Sequence, residues 1–277
     1  MLKNNKIKVS VIIPNYNHKL YLKQRIESIL KQTYLDYEVI ILDDCSTDSS
    51  KTIIESYRNH PKVSNILYNQ ENSGSPFNQW MKGIDLAKGD YIWIAESDDY
   101  ASPNFLEVIM KVFTSDEKID VVFTKTTNVD KHDKDIGNTT RIERKYKDLL
   151  SCDFKIKGND FLKLFLPDYC IIRNVSSAVI KKKHAILIRK VKDYKTIGDF
   201  YFWIKLCLKN CNFCYVNEKL NFMRSHSGNV RNNPKKTTFK KAEYKRIHWE
   251  VFKKRWYYFS VLQILLIHYL KKLHSKL

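Results

Sequence analysis

The first 115 residues alternate between short apolar runs and longer segments of mixed polarity. The apolar runs Val9–Pro14, Tyr37–Leu42, Asn65–Tyr68 and Tyr91–Ala95 are rich in β-branched or aromatic residues, which predicts strands. Each run is followed by a segment whose apolar residues recur at helical spacing, which predicts a helix after each strand. Four strand–helix units in this length of chain predict an α/β fold with a parallel, doubly wound sheet.

Acidic residues stand directly after two of these predicted strands. Asp43 and Asp44 end the second strand, and the segment Glu96–Asp99 ends the fourth. Because the carboxyl ends of parallel strands meet at one edge of a sheet, both clusters are expected to line one crevice. Clustered carboxylates suit a divalent cation that carries phosphate oxygens. Helix capping explains the second cluster less well, because Ser102 and Pro103 already supply a cap for the next helix.

Composition narrows the class of protein. With 277 residues, 43% of them hydrophobic, and only 7 Gly and 6 Pro, the chain is expected to fold around a substantial core. The turn between the first predicted strand and its helix lacks G-x-G-x-x-G, which disfavours a classical dinucleotide-binding fold. The chain also lacks G-x-x-x-x-G-K-[ST], which disfavours a P-loop NTPase. Residues 1–8 are polar and basic, and the apolar run after them is too short for a signal peptide, so a cytoplasmic location is expected. The six Cys are then expected to be reduced thiols.

Several segments of the first half resemble a known family. V-S-V-I-I-P-N-Y-N at Val9–Asn17, S-I-L-K-Q-T-Y at Ser28–Tyr34, Val39–Ser50 and Ile92–Tyr100 are similar, in order and spacing, to family 2 glycosyltransferases. The stretch Asn72–Tyr91 also resembles the loop and helix before the metal motif of that family. The resemblance implies an inverting, metal-dependent enzyme with a GT-A fold, which has a Rossmann-like, mostly parallel, doubly wound sheet.

The resemblance also implies a domain organisation and a reaction. Residues 1–229 would form the GT-A domain, with a nucleotide-binding half at 1–125 and an acceptor-side half at 126–229. The composition of residues 230–277, and not the resemblance, predicts a basic, amphipathic helical tail after this domain. In the second half, Arg173–Ala178 resembles a variable segment and is expected to border the acceptor. The implied reaction transfers a sugar from a nucleotide-sugar donor to a hydroxyl of a saccharide or lipid-linked saccharide. The expected setting is assembly of a bacterial surface polysaccharide such as O-antigen, capsule or lipooligosaccharide.

The ends of the first two strands are assigned, by this resemblance, to the nucleotide of the donor. Pro14 and Tyr16 would line the pocket for the base, and Asp44 would accept a hydrogen bond from the base. Asp43 would support the same turn, and a direct contact between Asp43 and the nucleotide stays open.

The D-x-D metal motif of the family falls on Glu96, Ser97 and Asp98, with Glu in place of the usual first Asp. Glu96 is therefore assigned to the nucleotide sugar with its direct role open, while Asp98 and Asp99 would contact the ribose and the metal ion. The ion would be Mg²⁺ or Mn²⁺, and it would neutralise the departing diphosphate.

Two downstream segments resemble the rest of the family's site. Thr196–Leu206 is similar to the E-D-x-x-x-W segment, which makes Asp199 the base that deprotonates the acceptor and leaves Gly198 in place of the usual first acid. From the residues alone, capping of the aromatic helix that follows is an equally good role for Asp199. A later F-M-R-S-H stretch is similar to the Y-R-x-H segment, so Arg224 and His226 would close over the diphosphate and the metal.

The C-terminal region is strongly basic. Residues 230–277 contain 13 Lys and Arg against two acidic residues, which is more than half of the net charge of +19. Lys235–Arg255 predicts a basic helix, and the apolar segment Trp256–Leu270 after it is too short for a comfortable membrane span. Basic flanks and interfacial aromatics suit a helix lying on an anionic leaflet, peripheral to the inner face of the cytoplasmic membrane. Packing on the protein's own core or in a dimer is an equally good alternative.

Three other functions share some of these sequence features. A basic nucleic-acid-binding protein would share the charged tail, but acids at two strand ends would repel phosphate, so nucleic acid is not expected as a partner. Cys207, Cys211 and Cys214 match the C-x₃-C-x₂-C spacing of radical iron–sulfur enzymes, but Cys207 continues a predicted helix and Cys211 begins a predicted strand. A hydrolase with two carboxylates is the third, and an open nucleotide-type sheet is an unusual host for it.

Overall fold

The computed structural model describes residues 8–137, 144–165, 171–194, 196–226 and 237–254. Within these ranges, nine strands form a single sheet. The strands are β1 (Val9–Asn15), β2 (Tyr37–Asp43), β3 (Val63–Tyr68), β4 (Tyr91–Ile94), β5 (Tyr100–Ala101), β6 (Val121–Val129), β7 (Phe154–Lys157), β8 (Ala178–Lys181) and β9 (Asn212–Arg224).

Helices alternate with the first four strands and continue into the second half of the chain. The α-helices in the described ranges are α1 (Lys19–Leu30), α2 (Ser50–Glu55), α3 (Pro76–Leu86), α4 (Phe105–Ser115), α5 (Gly158–Phe165), α6 (Lys182–Ala185), α7 (Gly198–Leu208) and α8 (Thr237–Lys254). Short 3₁₀ helices lie at Leu149–Ser151, Val175–Ser177 and Ile186–Val191.

The order of the strands is β3-β2-β1-β4-β8-β6-β9-β5, with β7 paired to β9. The first four strands pair in parallel, as the sequence predicts. Beyond them the sheet is mixed, because β8 runs antiparallel to both β4 and β6, while β9 runs parallel to β6. The short strands β5 and β7 both pair antiparallel to β9. Most of the described strands therefore point the same way, and β1, β2 and β4 end at one edge of the sheet.

The differences from the predicted elements lie mainly at helix ends. The second helix ends at Glu55 rather than near Asn59, because the next residues form a tight turn with hydrogen bonds such as Arg58 N to Glu55 O at 3.1 Å. The fourth helix begins at Phe105 rather than at Pro103, because residues 103 and 104 form a turn before it. The shift of two residues at the fourth helix is within the usual difference at helix ends, whereas the shift of four residues at the second helix is larger.

Apolar side chains cover both faces of the sheet. Along β1, Ile12 belongs to one buried cluster, while Val11 and Ile13 belong to the other, because successive side chains of a strand point to opposite faces. Helices α3, α5, α7 and α8 pack on the first face, and α1, α2 and α4 pack on the second. The result is the three-layer arrangement that near-continuous apolar strands predict.

The basic region at 237–254 is the helix α8, close to the predicted Lys235–Arg255 helix. Its side chains Ile247 and Val251 are fully buried in the cluster that also contains α7. The predicted apolar segment Trp256–Leu270 lies outside the described residues, and the boundary between 229 and 230 stays a prediction. In the part of the chain that the structure describes, no helix is both long and apolar enough to cross a bilayer.

Candidate active site

Polar side chains join the carboxyl ends of β1 and β2. Asn15 Nδ2 donates to Asp43 Oδ2 at 2.7 Å, and the backbone N of Ser46 donates to Asp43 Oδ1 at 2.8 Å. Asn17 Oδ1 accepts a hydrogen bond from the backbone N of Thr47 at 2.8 Å. The Asp43 carboxylate is buried, so in the structure it braces these two loops against each other.

The next acid along the chain, Asp44, holds the loop between β3 and α3. Its Oδ1 accepts from Ser73 N at 3.0 Å and from Gln79 Nε2 at 2.6 Å, and its Oδ2 accepts from Ser73 Oγ at 2.8 Å. Pro14 is buried in β1, whereas the side chain of Tyr16 just after it is 44% exposed. Of the residues predicted to line a base pocket, Tyr16 therefore presents its ring to the outside of the sheet edge.

Glu96, the first acid of the predicted metal motif, is held by hydrogen bonds to neighbouring protein groups. Its Oε1 accepts from Trp80 Nε1 at 2.9 Å, its carbonyl oxygen accepts from Arg25 Nε at 2.9 Å, and its N donates to Ser176 Oγ at 3.0 Å. Burial raises the pKa of the Glu96 carboxyl to about 8, and the charge of Asp98 adds to this rise. The residue is therefore placed as a support of the loop.

Asp98 and two histidines form a cluster at this sheet edge. His226 Nε2 lies 3.0 Å from Asp98 Oδ2, and ligand atoms of His18, Asp98 and His226 all lie within 4.8 Å of one another. Burial acts to raise the pKa of Asp98, but the hydrogen bond with His226 and the charge of His18 hold it below its ordinary value. One carboxylate and two imidazoles are a donor set that fits a divalent metal ion.

Asp99 points away from this cluster into the protein. The segment Glu96–Asp99 is a tight turn closed by the hydrogen bond from Asp99 N to Glu96 O at 3.2 Å, so adjacent carboxylates take different directions. Asp99 Oδ2 accepts from Asn174 Nδ2 at 2.5 Å, and Oδ1 accepts from the backbone N of Arg224 at 3.1 Å. Burial raises the pKa of Asp99 to about 6. Of the three residues predicted to hold the metal, the structure brings Asp98 and His226 together. The carboxylate of Asp99 is buried and lies outside this cluster.

The guanidinium of Arg224 braces the same turn from β9. Its Nε donates to the carbonyl oxygen of Asp98 at 3.0 Å, and its Nη1 pairs with Asp133 Oδ1 at 2.6 Å. The guanidinium also lies over the ring of Tyr21, 4.6 Å from its centroid. Arg224 thus fixes the backbone of the metal motif, while His226, two residues further on, reaches the cluster.

Asp199 lies in the first turn of α7. Ile197 takes the N-cap position, so capping in the strict sense is not the role of Asp199, whose Oδ1 accepts from the neighbouring Phe200 N at 2.8 Å. An acid here is favoured by the positive end of the helix dipole. A Cβ atom on Gly198 would lie 2.5 Å from the Phe77 ring, so that ring occupies the space beside the position of the missing acid.

Contacts on two sides hold the start of α7. On one side, the Phe77 ring of α3 lies against Gly198 at the start of α7. Phe77 packs edge to face on Trp80 with centroids 5.0 Å apart, and Trp80 donates to Glu96 after β4. From α8, Glu243 Oε2 accepts three hydrogen bonds from the turn before α7. The donors are Thr196 N at 3.1 Å, Thr196 Oγ at 2.5 Å and the next backbone N at 3.0 Å.

A family model matches a stretch of the chain much longer than the motifs of the site. The family model described as glycosyl transferase family 2 matches residues 10–171, more than half of the chain. The chain belongs to glycosyltransferase family 2. This confirms the resemblance seen in the strand-end motifs.

Known relatives of this glycosyltransferase agree with that assignment. It is 29% identical over 231 residues to the glycosyltransferase GlyG of Streptococcus pneumoniae. The aligned region covers 80% of this chain and 72% of GlyG. It is also 35% identical over 127 residues to TarS of Staphylococcus aureus, a poly(ribitol-phosphate) beta-N-acetylglucosaminyltransferase, which covers 44% of this chain and 22% of TarS.

Solved structures show the fold of this glycosyltransferase. Residues 1–349 of S. aureus TarS in complex with UDP-GlcNAc superpose with a TM-score of 0.68 at 20% identity, covering 88% of this chain and 66% of that one. A mannosyltransferase from Pyrobaculum calidifontis with GDP-Man and Mn²⁺ gives a TM-score of 0.57 at 14% identity, covering 94% and 74%. The predicted GT-A fold is therefore confirmed.

Some residues of this glycosyltransferase site were not singled out from the sequence. His18 directly follows the Val9–Asn17 segment at the end of β1, and Trp80 lies within the Asn72–Tyr91 segment, but the sequence assigns neither of them a role. The segment Arg173–Ala178, predicted to border the acceptor, supplies Asn174 and Ser176, which bind Asp99 and Glu96 from beneath. The short polar side chains of this segment, which stand between apolar ones, were the sequence signal for these buried hydrogen bonds. Contact of the segment with an acceptor stays a prediction.

The three cysteines with iron–sulfur spacing are not brought together. Cys207 lies in α7 and Cys214 lies in β9, while Cys211 stands between these elements. In the described ranges Cys211 groups instead with Asp120 and His184, at the opposite edge of the sheet, where β6 and β9 begin. Burial raises the pKa of the Cys211 thiol to about 12, which makes it a poor nucleophile.

Proposed function

We propose that this glycosyltransferase transfers a sugar from a nucleotide-sugar donor to an acceptor hydroxyl, with inversion and with a bound divalent cation. The observation that carries the proposal is the convergence of Asp98 and His226 at the carboxyl edge of β4, beside the loops that end β1 and β2. Open α/β sheets bind ligands at this edge. Membership of family 2 supports the reaction class.

The donor would lie across the ends of β1, β2 and β4. The exposed ring of Tyr16 suits stacking on a nucleobase, and the buried Pro14 would form the floor of the same pocket. Asp43 and Asp44 would shape the pocket through the loops they brace, with Asp44 also accepting a hydrogen bond from the base. Two structural neighbours support this class of donor, since their structures contain UDP-GlcNAc and GDP-Man.

The metal would be held by Asp98 and His226, as either Mg²⁺ or Mn²⁺. When bound, it would supply positive charge to the diphosphate that leaves the sugar. Arg224 would keep Asp98 in position and add its own charge near the leaving group. Glu96 would serve the nucleotide sugar indirectly, by holding the loop of the metal motif in place. Mn²⁺ in the structure of the P. calidifontis mannosyltransferase supports a divalent ion.

Asp199 would act as the base. Its carboxylate would take the proton of the acceptor hydroxyl while the hydroxyl oxygen forms a bond to the anomeric carbon of the donor sugar. The bond from that carbon to the diphosphate oxygen breaks on the opposite side, and the diphosphate leaves with the electron pair. A single displacement of this kind inverts the anomeric centre. The Phe77 ring lies against Gly198 and packs on Trp80, and Trp80 donates to Glu96. This series of contacts supports the placement of Asp199 near the donor.

The acceptor would be a saccharide or a lipid-linked saccharide of a bacterial surface polysaccharide. Support comes from TarS, whose name gives a polymeric acceptor. The basic C-terminal region would bring the enzyme to the anionic inner face of the cytoplasmic membrane, where lipid-linked acceptors lie. Sedimentation with vesicles that contain anionic lipid, compared with neutral vesicles, tests this membrane contact.

A screen of nucleotide sugars tests the whole proposal. The purified protein is heated with UDP-, GDP- and dTDP-sugars, each with and without Mn²⁺, and the stabilising donor is then tested for sugar transfer. A donor at a hundred times its Kd should add about 2.7 kcal/mol of stability when Mn²⁺ is present. If no nucleotide sugar stabilises the protein and none is consumed, the proposed function is wrong. Salt-dependent binding of DNA or RNA that survives Asp98→Ala would favour the nucleic-acid alternative.

A further inference from the structure

The metal cluster contains one residue that no sequence motif singled out, His18. We propose that His18 is a protein ligand of the metal together with Asp98 and His226. The site then has two imidazoles and one carboxylate, and it binds a first-row transition ion such as Mn²⁺, Co²⁺ or Zn²⁺ in preference to Mg²⁺. This inference rests on the proposed function for the location of the metal, and it adds a ligand and a metal preference.

The backbone around His18 is held in place from several sides. Asn17 just before it has a φ of +56°, a left-handed turn that Asn tolerates, and its side chain is bound to the loop after β2. The carbonyl oxygen of His18 accepts from Tyr21 N and Leu22 N, both at 2.9 Å, as the N-cap residue of α1. The imidazole therefore starts from a fixed position at the end of β1.

The imidazole of His18 is oriented in the way that metal-binding histidines usually are. Its Nδ1 lies 2.8 Å from the hydroxyl oxygen of Ser97, which is buried between Glu96 and Asp98. When Nδ1 donates its proton to Ser97, Nε2 keeps its lone pair for a metal, which is the common outer-shell pattern. The rings of His18 and His226 lie edge to face with centroids 5.6 Å apart, so the two imidazoles and Asp98 can meet at one ion.

The other acids of the motif are already engaged with the protein. Asp99 accepts hydrogen bonds from Asn174 and from the backbone of Arg224, and Glu96 accepts one from Trp80. A Mg²⁺ site would draw mainly on oxygen ligands and bound water. Here one carboxylate faces two imidazoles, and imidazole nitrogen binds first-row transition ions better than it binds Mg²⁺. The remaining coordination positions would take diphosphate oxygens and water.

Metal titration of the full chain tests the proposal without measuring activity. Metal-free protein is titrated with Mn²⁺ while the free ion is followed by electron paramagnetic resonance, with Mg²⁺ as competitor. We expect Mn²⁺ to bind at least about 10-fold more tightly than Mg²⁺. His18→Gln should weaken Mn²⁺ binding by roughly 10- to 100-fold, with a much smaller effect on Mg²⁺. His60→Gln is the matched control, because His60 lies in the turn before β3, at the opposite edge of the sheet.

A second measurement needs no variant and covers the case in which His18→Gln does not fold. Electron spin echo envelope modulation of Mn²⁺ bound to the wild-type protein counts the coordinated imidazole nitrogens, and two are expected. One imidazole, or Mn²⁺ binding that is unchanged in a folded His18→Gln variant, overturns the assignment of His18. Two imidazoles in a protein that neither binds nor consumes any nucleotide sugar would keep this assignment and remove the proposed function.

Discussion

At the scale of single residues, the neighbouring acids Asp98 and Asp99 have different surroundings and therefore different roles. Asp98 faces His226 at the sheet edge, whereas Asp99 is buried against Asn174 and the backbone of Arg224. A buried carboxylate that accepts hydrogen bonds from protein groups stabilises the fold, because its removal leaves those donor groups without a partner. A carboxylate among imidazoles can serve a metal.

Two matched substitutions separate these roles. Asp98→Asn should reduce Mn²⁺ affinity with little change in the free energy of unfolding. Asp99→Asn should lower the free energy of unfolding by about 1–3 kcal/mol, because an amide cannot accept from both Asn174 and Arg224 N. Urea unfolding without metal and Mn²⁺ titration measure the two effects. The opposite pattern, with Asp99→Asn affecting only the metal, would return Asp99 to the metal site.

The proposed base gives a prediction of its own. Asp199→Asn keeps the shape of the side chain but removes its ability to take a proton. Transfer should fall by about 10²- to 10⁴-fold, while the Kd of the nucleotide sugar should stay near that of the wild type. Transfer is measured by product formation and binding by calorimetry. A variant that transfers sugar at near the normal rate would show that another group is the base.

At the scale of elements, α8 supports the helix that carries Asp199. Glu243 accepts three hydrogen bonds from the turn before α7, and Glu250 binds Tyr201 and, through Oε1 at 2.6 Å, Lys205. Helix starts contain backbone N–H groups with no partner inside the helix, and here a side chain from a distant element supplies one. The position of Asp199 therefore depends on α8, a helix from the basic C-terminal region.

Removing the Glu243 carboxylate should disturb both stability and catalysis. Glu243→Ala leaves three donors without their acceptor, so the free energy of unfolding should fall by about 1–3 kcal/mol. If the turn positions Asp199, kcat should fall while KM for the donor stays unchanged, and Glu243→Gln should recover part of kcat. Lys240→Ala is the control, because Lys240 lies on the same helix and is exposed. Equal kcat in all three variants would limit Glu243 to a structural role.

At the scale of the whole molecule, the C-terminal helix is joined to the main core. Ile247 and Val251 are fully buried in the same cluster as α3 and α7. Burial of such side chains contributes about 1.5–3 kcal/mol each, an amount comparable with a large part of the stability of a domain. The charged face of α8 stays exposed while Ile247 and Val251 are buried in the core.

Truncation after residue 229 tests how separate the tail is. Because the cut removes the two buried side chains of α8 and the acceptor Glu243, we expect a thermal midpoint lower by several degrees. Differential scanning calorimetry of the full and truncated chains gives the difference. An unchanged midpoint would show that residues 230–277 are an independent tail.

The local elements and the family of this protein follow from the sequence alone. Strand and helix periodicity depends on neighbouring residues, so β1 to β4, their helices and the acids at two strand ends are all readable from the chain. The motifs of family 2 are equally local, and they predicted the GT-A fold that the solved structures confirm.

The tertiary structure alone decided which side chains meet. His226 reaches Asp98 across 128 residues, and His18 reaches Ser97 across 79, through the order of strands in the sheet. A local hydrogen bond closes the tight turn after β4, but the inward position of Asp99 depends on bonds to its carboxylate from Asn174 and the backbone N of Arg224, which are distant in sequence. Such pairings combine elements far apart in sequence, and no local periodicity records them.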